Sequence, residues 1–434
     1  MIKHILVLAV STFFILESNL ISAQISYFPP LNSDEWLTTD ANSLGWCTDK
    51  EHALDHFLDS TGTKSFIILI DGKIVKESYY NEANATSIWY WASAGKSLTS
   101  MLIGMALEKG LLGIQDKSSD YLGKGWTSAT LEQENNITIW NQLTMTTGLE
   151  VVGEDEDCTD PSCMAYHSPA GTRWDYYNAT YRLLHNVISA ASGKTINEFT
   201  TKELGEKIGM KGLWSDHIFY SNARAMARYG LLALNNGKWD AVTLLNDMNY
   251  LQAMKNTSQN LNKSYGYLWW LNGKESFMLP TSQLVFNKTL IGNAPSDLYC
   301  ALGKNDQKIY VIPSEKMVII RMGEDGGQIT GALSAYDDKL WQKINDYKCL
   351  STSTFSPISK QGKIFPNPAT EELSIRDIED GKGYAIFGQN RNLVGMGRIR
   401  NNKIDVSQLS NGNYYIVIKE NGVKEVYPFV KIAR

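Results

Sequence analysis

The sequence has 434 residues, of which 43% are hydrophobic, 20% charged and 11% aromatic, with a formal net charge of -5. That composition suits a globular chain of one large and one small domain, or two or three medium ones, and excludes a disordered, collagen-like or coiled-coil protein. Lys and Arg are not in excess, so nucleic acid is not an expected partner, because phosphate binding needs clustered cations.

Residues 1–23 have the pattern of a secretory signal peptide. Met1-Ile2-Lys3-His4 is a basic start, Ile5 to Leu16 is apolar, and Ile21-Ser22-Ala23-Gln24 offers small residues for cleavage after Ala23. The apolar run is shorter than the roughly 20 residues of a membrane span, and no later run is longer, so no transmembrane segment is expected in the mature chain. The alternative is an uncleaved N-terminal anchor.

Export permits disulfides. Of five cysteines, Cys158 and Cys163 lie close together in Asp-Cys-Thr-Asp-Pro-Ser-Cys, while Cys47 and Cys349 bracket the large domain. A local staple and a closing bridge are the candidate pairs, with Cys300 left over. An odd count leaves the connectivity open. The six histidines are scattered and no Cys/His group has zinc spacing, so neither a metal nor a cofactor is expected.

Phe28-Pro29-Pro30 reads as an extended lead-in. Ser65 to Ile70, Asp71-Gly72 and Lys73 to Ser78 predict a β-hairpin. From Ser93 to Lys109 the period becomes helical, with Leu98, Met101, Leu102, Met105 and Ala106 on one face and Gly110 as a stop. Further helices are predicted over 181–191, 196–208 and 222–234. Leu298 to Leu302, Ile309 to Ile312 and Met317 to Arg321 read as strands, followed by a helix from Gly331 to Tyr347. Strands at both ends and helices between them predict an α+β fold, one antiparallel sheet beside a helical lobe, with the site in the cleft between. Residues 24–349 form this domain, and 350–361 are a Ser/Thr-rich linker. Residues 362–434 are a small all-β, sandwich-like unit with strands at 373–375, 384–387 and 414–418 and turns at Asn411-Gly412 and Asn421-Gly422.

The chemistry starts at Trp91-Ala92-Ser93-Ala94-Gly95-Lys96. Ser and Lys three residues apart share a helical face. A Ser in the first turn sits at the positive end of the helix, and a neighbouring amine can take its proton, which activates a hydroxyl without a histidine. Alone, the spacing equally fits a capping Ser and a solvated Lys. A second constellation is Trp174-Asp175-Tyr176-Tyr177-Asn178, just before a helix. Tyr176, held beside Ser93 and the Lys96 ammonium, ionises more easily and acts as general base or acid, and Asn178 positions the Lys and the substrate. The plainer reading of Asn178 is an N-cap behind packed aromatics.

These motifs resemble the serine β-lactamase-like hydrolases: class C β-lactamases, D-alanyl-D-alanine peptidases, family VIII esterases and 6-aminohexanoate-oligomer hydrolases. The resemblance spans about 45–345. It includes Ile139-Trp-Asn-Gln-Leu-Thr-Met-Thr-Thr-Gly-Leu149, Ser221-Asn-Ala-Arg-Ala-Met-Ala-Arg-Tyr-Gly230 and Tyr265-Gly-Tyr-Leu-Trp-Trp270. It implies a β-lactamase/transpeptidase-like fold and an acyl-enzyme mechanism. Ser93 would be the nucleophile, Lys96 the base or proton shuttle, and Tyr176 a second proton carrier. The family's third motif, a Lys-Thr-Gly or His-x-Gly strand at the sheet edge, is matched by Ala301-Leu302-Gly303-Lys304. Small Gly303 would admit substrate, and the N–H groups of Ser93 and Lys304 would form the oxyanion hole. The cation at the first position is missing, which favours an uncharged ester or amide over β-lactams or peptidoglycan stems. Those remain the alternative substrates, and a penicillin-binding-like surface protein without turnover is the alternative of another class.

Ile364-Phe-Pro-Asn-Pro-Ala-Thr370 and Ile404-Asp-Val-Ser-Gln-Leu-Ser-Asn-Gly-Asn-Tyr-Tyr-Ile416, with a final strand at Phe429 to Ile432, resemble the type IX secretion C-terminal sorting domain. This implies passage across the outer membrane of a Bacteroidetes-type bacterium and contact with its secretion machinery, and places the protein outside the cell or on its surface. A carbohydrate-binding sandwich is the alternative, although about 70 residues is short against the roughly 100 of immunoglobulin-type sandwiches.

Overall fold

The computed structural model describes residues 26–327, 335–350, 364–376, 378–388, 393–420 and 423–433. The expected signal peptide, residues 351–361 of the expected linker, the start of the last predicted helix at 331–334 and the Asn421-Gly422 turn lie outside them. The chain divides into two compact units, Met1–Ser351 and Thr352–Arg434.

The first unit is built on a six-stranded sheet in the order Trp270–Leu271, Tyr299–Gly303, Gln307–Ile312, Met317–Gly323, Thr63–Ile70, Lys73–Tyr79. Every neighbour is antiparallel. Strands from the two ends of the unit thus meet inside one sheet, with Ile67 opposite Ile320. The first hairpin closes on Asp71 and Gly72, whose φ values of 49° and 82° are both positive, as a two-residue turn requires. A Cβ on Gly72 would stand 1.8 Å from Tyr27 O, so no larger residue fits there.

Strand alternation gives the sheet two covered faces. On one, Ile309, Val318 and Ile320 surround Gly230 of the helix Ala223–Leu234, where a Cβ would come within 2.5 Å of Val318. On the other, Lys308 and Tyr310 reach Asp337 on the helix Ala335–Tyr347. The helix Gly95–Glu108 is buried on all sides from Gly95 to Ala106, not on one face only. Tertiary packing against the helix Asn178–Ser192 and its other neighbours explains the difference. The predicted helix over 196–208 is present but carries a wider π turn at Thr200–Gly205. Two-residue pieces such as Trp270–Leu271, and the pairing of Phe277–Met278 with Val285–Phe286, are too short to leave a period in the sequence.

Cys47 is bonded to Cys349 and Cys158 to Cys163, while Cys300 is free and buried. No described helix is long and apolar enough to cross a membrane.

The second unit has a three-stranded sheet, Ile364–Phe365, Glu372–Ile375 and Lys403–Asp405. Its four-stranded sheet runs Leu393–Arg398, Gly383–Gly388, Gly412–Glu420 and Val423–Lys431. Leu373, Ile375, Ile386, Ile404, Ile416 and Ile418 fill its core. At Asn411-Gly412 there is a bend followed directly by strand, instead of the predicted hairpin turn.

Candidate active site

The site starts at a strained turn. Trp91 is anchored by its backbone N–H, which donates to Phe219 O at 2.8 Å, and by its indole, which donates to Ser221 Oγ at 2.8 Å. Ala92 then takes a left-handed φ of 47°, a conformation held only where the surroundings force it. A 3₁₀ turn, Ala92–Ala94, leads into the helix Gly95–Glu108. Ser93 therefore sits just ahead of the α-helix, not in its first turn as the sequence predicts, and is half-buried.

One turn on, Lys96 is almost fully buried, at 2% exposure. Its Nζ lies 2.8 Å from Ser93 Oγ and donates to Asn178 Oδ1 at 2.8 Å. Asn178 is the first residue of the helix Asn178–Ser192 and is not its cap. The rings of Tyr181 and Tyr176 flank the amine, 4.0 Å and 4.7 Å from Nζ to the ring centroids. The Ser93 and Trp270 side chains both act on the Tyr176 hydroxyl.

Electrostatics here correct one expectation. A Lys96 ammonium was to ease the ionisation of Tyr176. Burial instead dominates both groups. It pushes the Lys96 pKa well below the ordinary lysine value, with Asp157 acting in the opposite direction. It pushes the Tyr176 phenol well above the ordinary tyrosine value, only partly offset by Ser93 and Trp270. Low dielectric disfavours either charged form, so burial biases the amine and the phenol alike toward their neutral states.

The longer sequence motifs act as scaffolding for this cluster. Met145 O accepts from Asp175 N at 2.9 Å and Thr146 O from Gly171 N at 2.7 Å, which fixes the segment bearing Tyr176. Tyr229 donates to Ser97 O at 2.6 Å, pinning the helix behind Lys96. In Tyr265–Trp270 a tight turn pairs the first residue with the last. Trp270 then lies 5.7 Å from Tyr176 between ring centroids, roughly parallel at 27°. Trp174 and Tyr265 close the aromatic wall, 5.4 Å apart.

The third motif departs most from expectation. Trp270 and Leu271 cover only Cys300 and Tyr299, so Ala301–Gly303 run on past their partner strand. Gly303 is small because the Ser93 turn presses on it. Its Cβ would stand 2.4 Å from Trp91 O and 3.1 Å from Ala94 N. Lys304 is off the strand. It opens a turn, Lys304–Asp306, and its side chain is exposed. Ala301 is buried and neutral. The charges that bear on Lys96 are Asp157, Arg182 and Glu156, and Arg182 is paired with Asp157 at 3.0 Å. Among the described residues no group of three or more His, Cys, Asp or Glu is placed to hold a metal.

Sequence reasoning passed over Tyr181, Trp270 and Asn305 as site residues. Tyr181 is signalled only by standing three residues after Asn178 on one helix. Trp270 lay inside a motif but carried no role. Asn305, whose Nδ2 donates to Tyr90 OH at 2.7 Å, has no local signal.

Residues 52–328 match the family model described as beta-lactamase, and residues 363–431 match that of the secretion system C-terminal sorting domain. Among solved structures the chain is similar to a protein from Bacillus anthracis provisionally described as a 6-aminohexanoate-dimer hydrolase. The identity is 18% and the TM-score 0.56, over 75% of this chain and 89% of that one. A protein from Bacteroides dorei provisionally described as a beta-lactamase gives 13% identity and a TM-score of 0.54, over 70% and 99%. A penicillin-binding protein homologue from Caulobacter crescentus gives 12% and 0.54, over 71% and 98%. At these identities the likeness shows the fold alone. A search of curated proteins returns no match.

Proposed function

The chain belongs to the beta-lactamase family, and on that footing we propose that it hydrolyses uncharged esters or amides through an acyl-enzyme formed on Ser93. It is a serine hydrolase, and its sorting domain directs it through type IX secretion to the cell surface or beyond. The observation that carries the reading is the cluster of Ser93, Lys96, Tyr176 and Asn178, in which the buried Lys96 amine lies 2.8 Å from the serine oxygen and burial lowers its pKa.

In acylation, Ser93 Oγ bonds to the substrate carbonyl carbon while its proton passes to the free amine of Lys96, which Asn178 holds in place. The oxyanion is met by the N–H groups of Ser93 and Lys304, each donor contributing about 3–4 kcal/mol by mutational precedent. As the bond from carbon to the leaving oxygen or nitrogen breaks, Tyr176 supplies a proton to the leaving group and is reprotonated from Lys96. Water then attacks the acyl-enzyme along the reverse proton path, releasing the acid and Ser93. Buried Ala301 offers a substrate carboxylate no charge partner, which favours uncharged substrates.

The test is Ser93→Ala in the mature protein. Fluorophosphonate labelling and p-nitrophenyl ester cleavage are both lost if the reading holds. Retention of either rejects it.

A further inference from the structure

Behind the site lies a buried cation that the acyl-transfer steps do not use. Arg321, in the strand Met317–Gly323, is fully buried at 0% exposure. Its guanidinium makes five hydrogen bonds, all to neutral oxygens. Nε donates to Thr63 Oγ1 at 3.0 Å. Nη1 donates to Asn305 O at 3.3 Å and Asp306 O at 2.9 Å. Nη2 donates to Thr61 O at 2.8 Å and Glu324 O at 3.0 Å. Burying a charge without a counter-charge is expensive, and a planar fork with five fixed donors is the one side chain that can hold several carbonyls at set angles.

Two of those carbonyls belong to a strained turn. Asn305 and Asp306 have φ values of 59° and 57°, both left-handed. Their carbonyls point inward to Arg321, and Gln307 Nε2 reinforces the grip with bonds to Asn305 O at 2.8 Å and Gly323 O at 2.6 Å. On its outer side the turn is fastened to the Ser93 segment at two places. Asn305 Nδ2 donates to Tyr90 OH at 2.7 Å, and Gly303 packs against Trp91 O and Ala94 N. Lys304 lies between these two fastenings.

We infer that Arg321 is a positioning residue: by holding the carbonyls of Asn305 and Asp306 it fixes the left-handed turn that aims the Lys304 N–H at the oxyanion formed on Ser93. The inference rests on the hydrolase reading above. A donor displaced by about an ångström loses much of its value in the transition state, so the effect falls on the tetrahedral species more than on bound substrate.

The experiment measures p-nitrophenyl acetate turnover and inhibition by phenylboronic acid, which forms a tetrahedral adduct on a nucleophilic serine. It uses the mature full-length protein and the variants Arg321→Lys, Asn305→Ala and Asn305→Gly. Lysine keeps the charge and loses the fork. Arg321→Lys is expected to lower kcat about 10- to 100-fold with KM within about threefold, and to raise the phenylboronate Ki by the same factor as kcat/KM falls. Both Asn305→Ala and Asn305→Gly lose the bond to Tyr90, but glycine takes positive φ freely, so Asn305→Ala is expected to lose about tenfold and Asn305→Gly at least about threefold less than that. If Arg321→Lys does not fold, the Asn305 pair decides. A folded Arg321→Lys protein with wild-type turnover overturns the inference. So does a fall in kcat with unchanged phenylboronate affinity, and so does equal activity of the two Asn305 variants. A wild-type protein without Ser93-dependent turnover overturns the hydrolase reading and this inference together.

Discussion

Lys96 Nζ and Asn178 Oδ1 meet at 2.8 Å across 82 residues of sequence. The contact joins the helix behind Ser93 to the start of a second helix, and it consumes one amine hydrogen so that the remaining lone pair can face Ser93 Oγ. Replacing Asn178 by Asp would set a carboxylate against the amine and favour the ammonium. Asn178→Asp is therefore expected to move the acidic limb of the kcat/KM profile to higher pH, by one unit or more. An unmoved limb would mean that this amine is not the titrating base.

Lys96→Arg keeps a cation but cannot release its proton near neutral pH. The expected loss in kcat is about 10²–10⁴-fold, the usual worth of a general base, with little change in KM. Stopped-flow measurement of acylation with a p-nitrophenyl ester checks it. An active Lys96→Arg protein would move the base role elsewhere.

On the proposed mechanism the pH profile of the wild type follows from two displaced groups. Lys96 works when deprotonated, and burial lowers its pKa, so activity is present above that depressed value and lost as pH falls through it. Tyr176 works when protonated, and burial raises its pKa, so no alkaline loss from this residue appears until beyond the ordinary tyrosine range. For an uncharged ester, kcat/KM is expected to rise through the acid side and stay flat to about pH 10. A bell that falls between pH 7 and 9 would show that the phenol is not held protonated.

Charge discrimination is the direct check on substrate class. p-Nitrophenyl butyrate is expected to exceed nitrocefin, which carries a carboxylate, by about 100-fold or more in kcat/KM, a difference in the range of one charge-assisted hydrogen bond. Comparable turnover of the two would favour the β-lactamase alternative.

The two disulfides close loops of very different size, with sequence separations of 302 and 5. Chain entropy assigns the larger one about 5–6 kcal/mol and the smaller about 2 kcal/mol. Urea unfolding of Cys47→Ser/Cys349→Ser should show the greater loss in stability. Equal losses would point to local packing at Cys158–Cys163 in place of loop closure.

Much of this arrangement could be read from the chain, and the gaps have physical causes. The hairpin at Asp71-Gly72 and the strands around Ile309 and Ile320 were legible because turn chemistry and apolar runs are local. So were Ser93, Lys96, Tyr176 and Asn178 as candidates, because each pair sits within one turn or one short motif. The direction in which the Lys96 pKa moves was not, since burial of Lys96 depends on Tyr181 and Tyr176 arriving from elsewhere. Nor was the reason for Gly303, which is the approach of Trp91 O from a segment over 200 residues away. The extended third motif that the sequence suggested ends one residue early because Asn305 and Asp306 turn left-handed, and the side chains that hold their carbonyls, Arg321 and Gln307, come from other strands.

The bond between Cys47 and Cys349 ties the hydrolase unit into a ring of covalently linked chain. A ring of that size cannot be drawn tail-first through a narrow channel as a single thread, because its far side must follow doubled. Once that bond has formed, any passage that exports the unit has to be wide enough for at least two chains side by side.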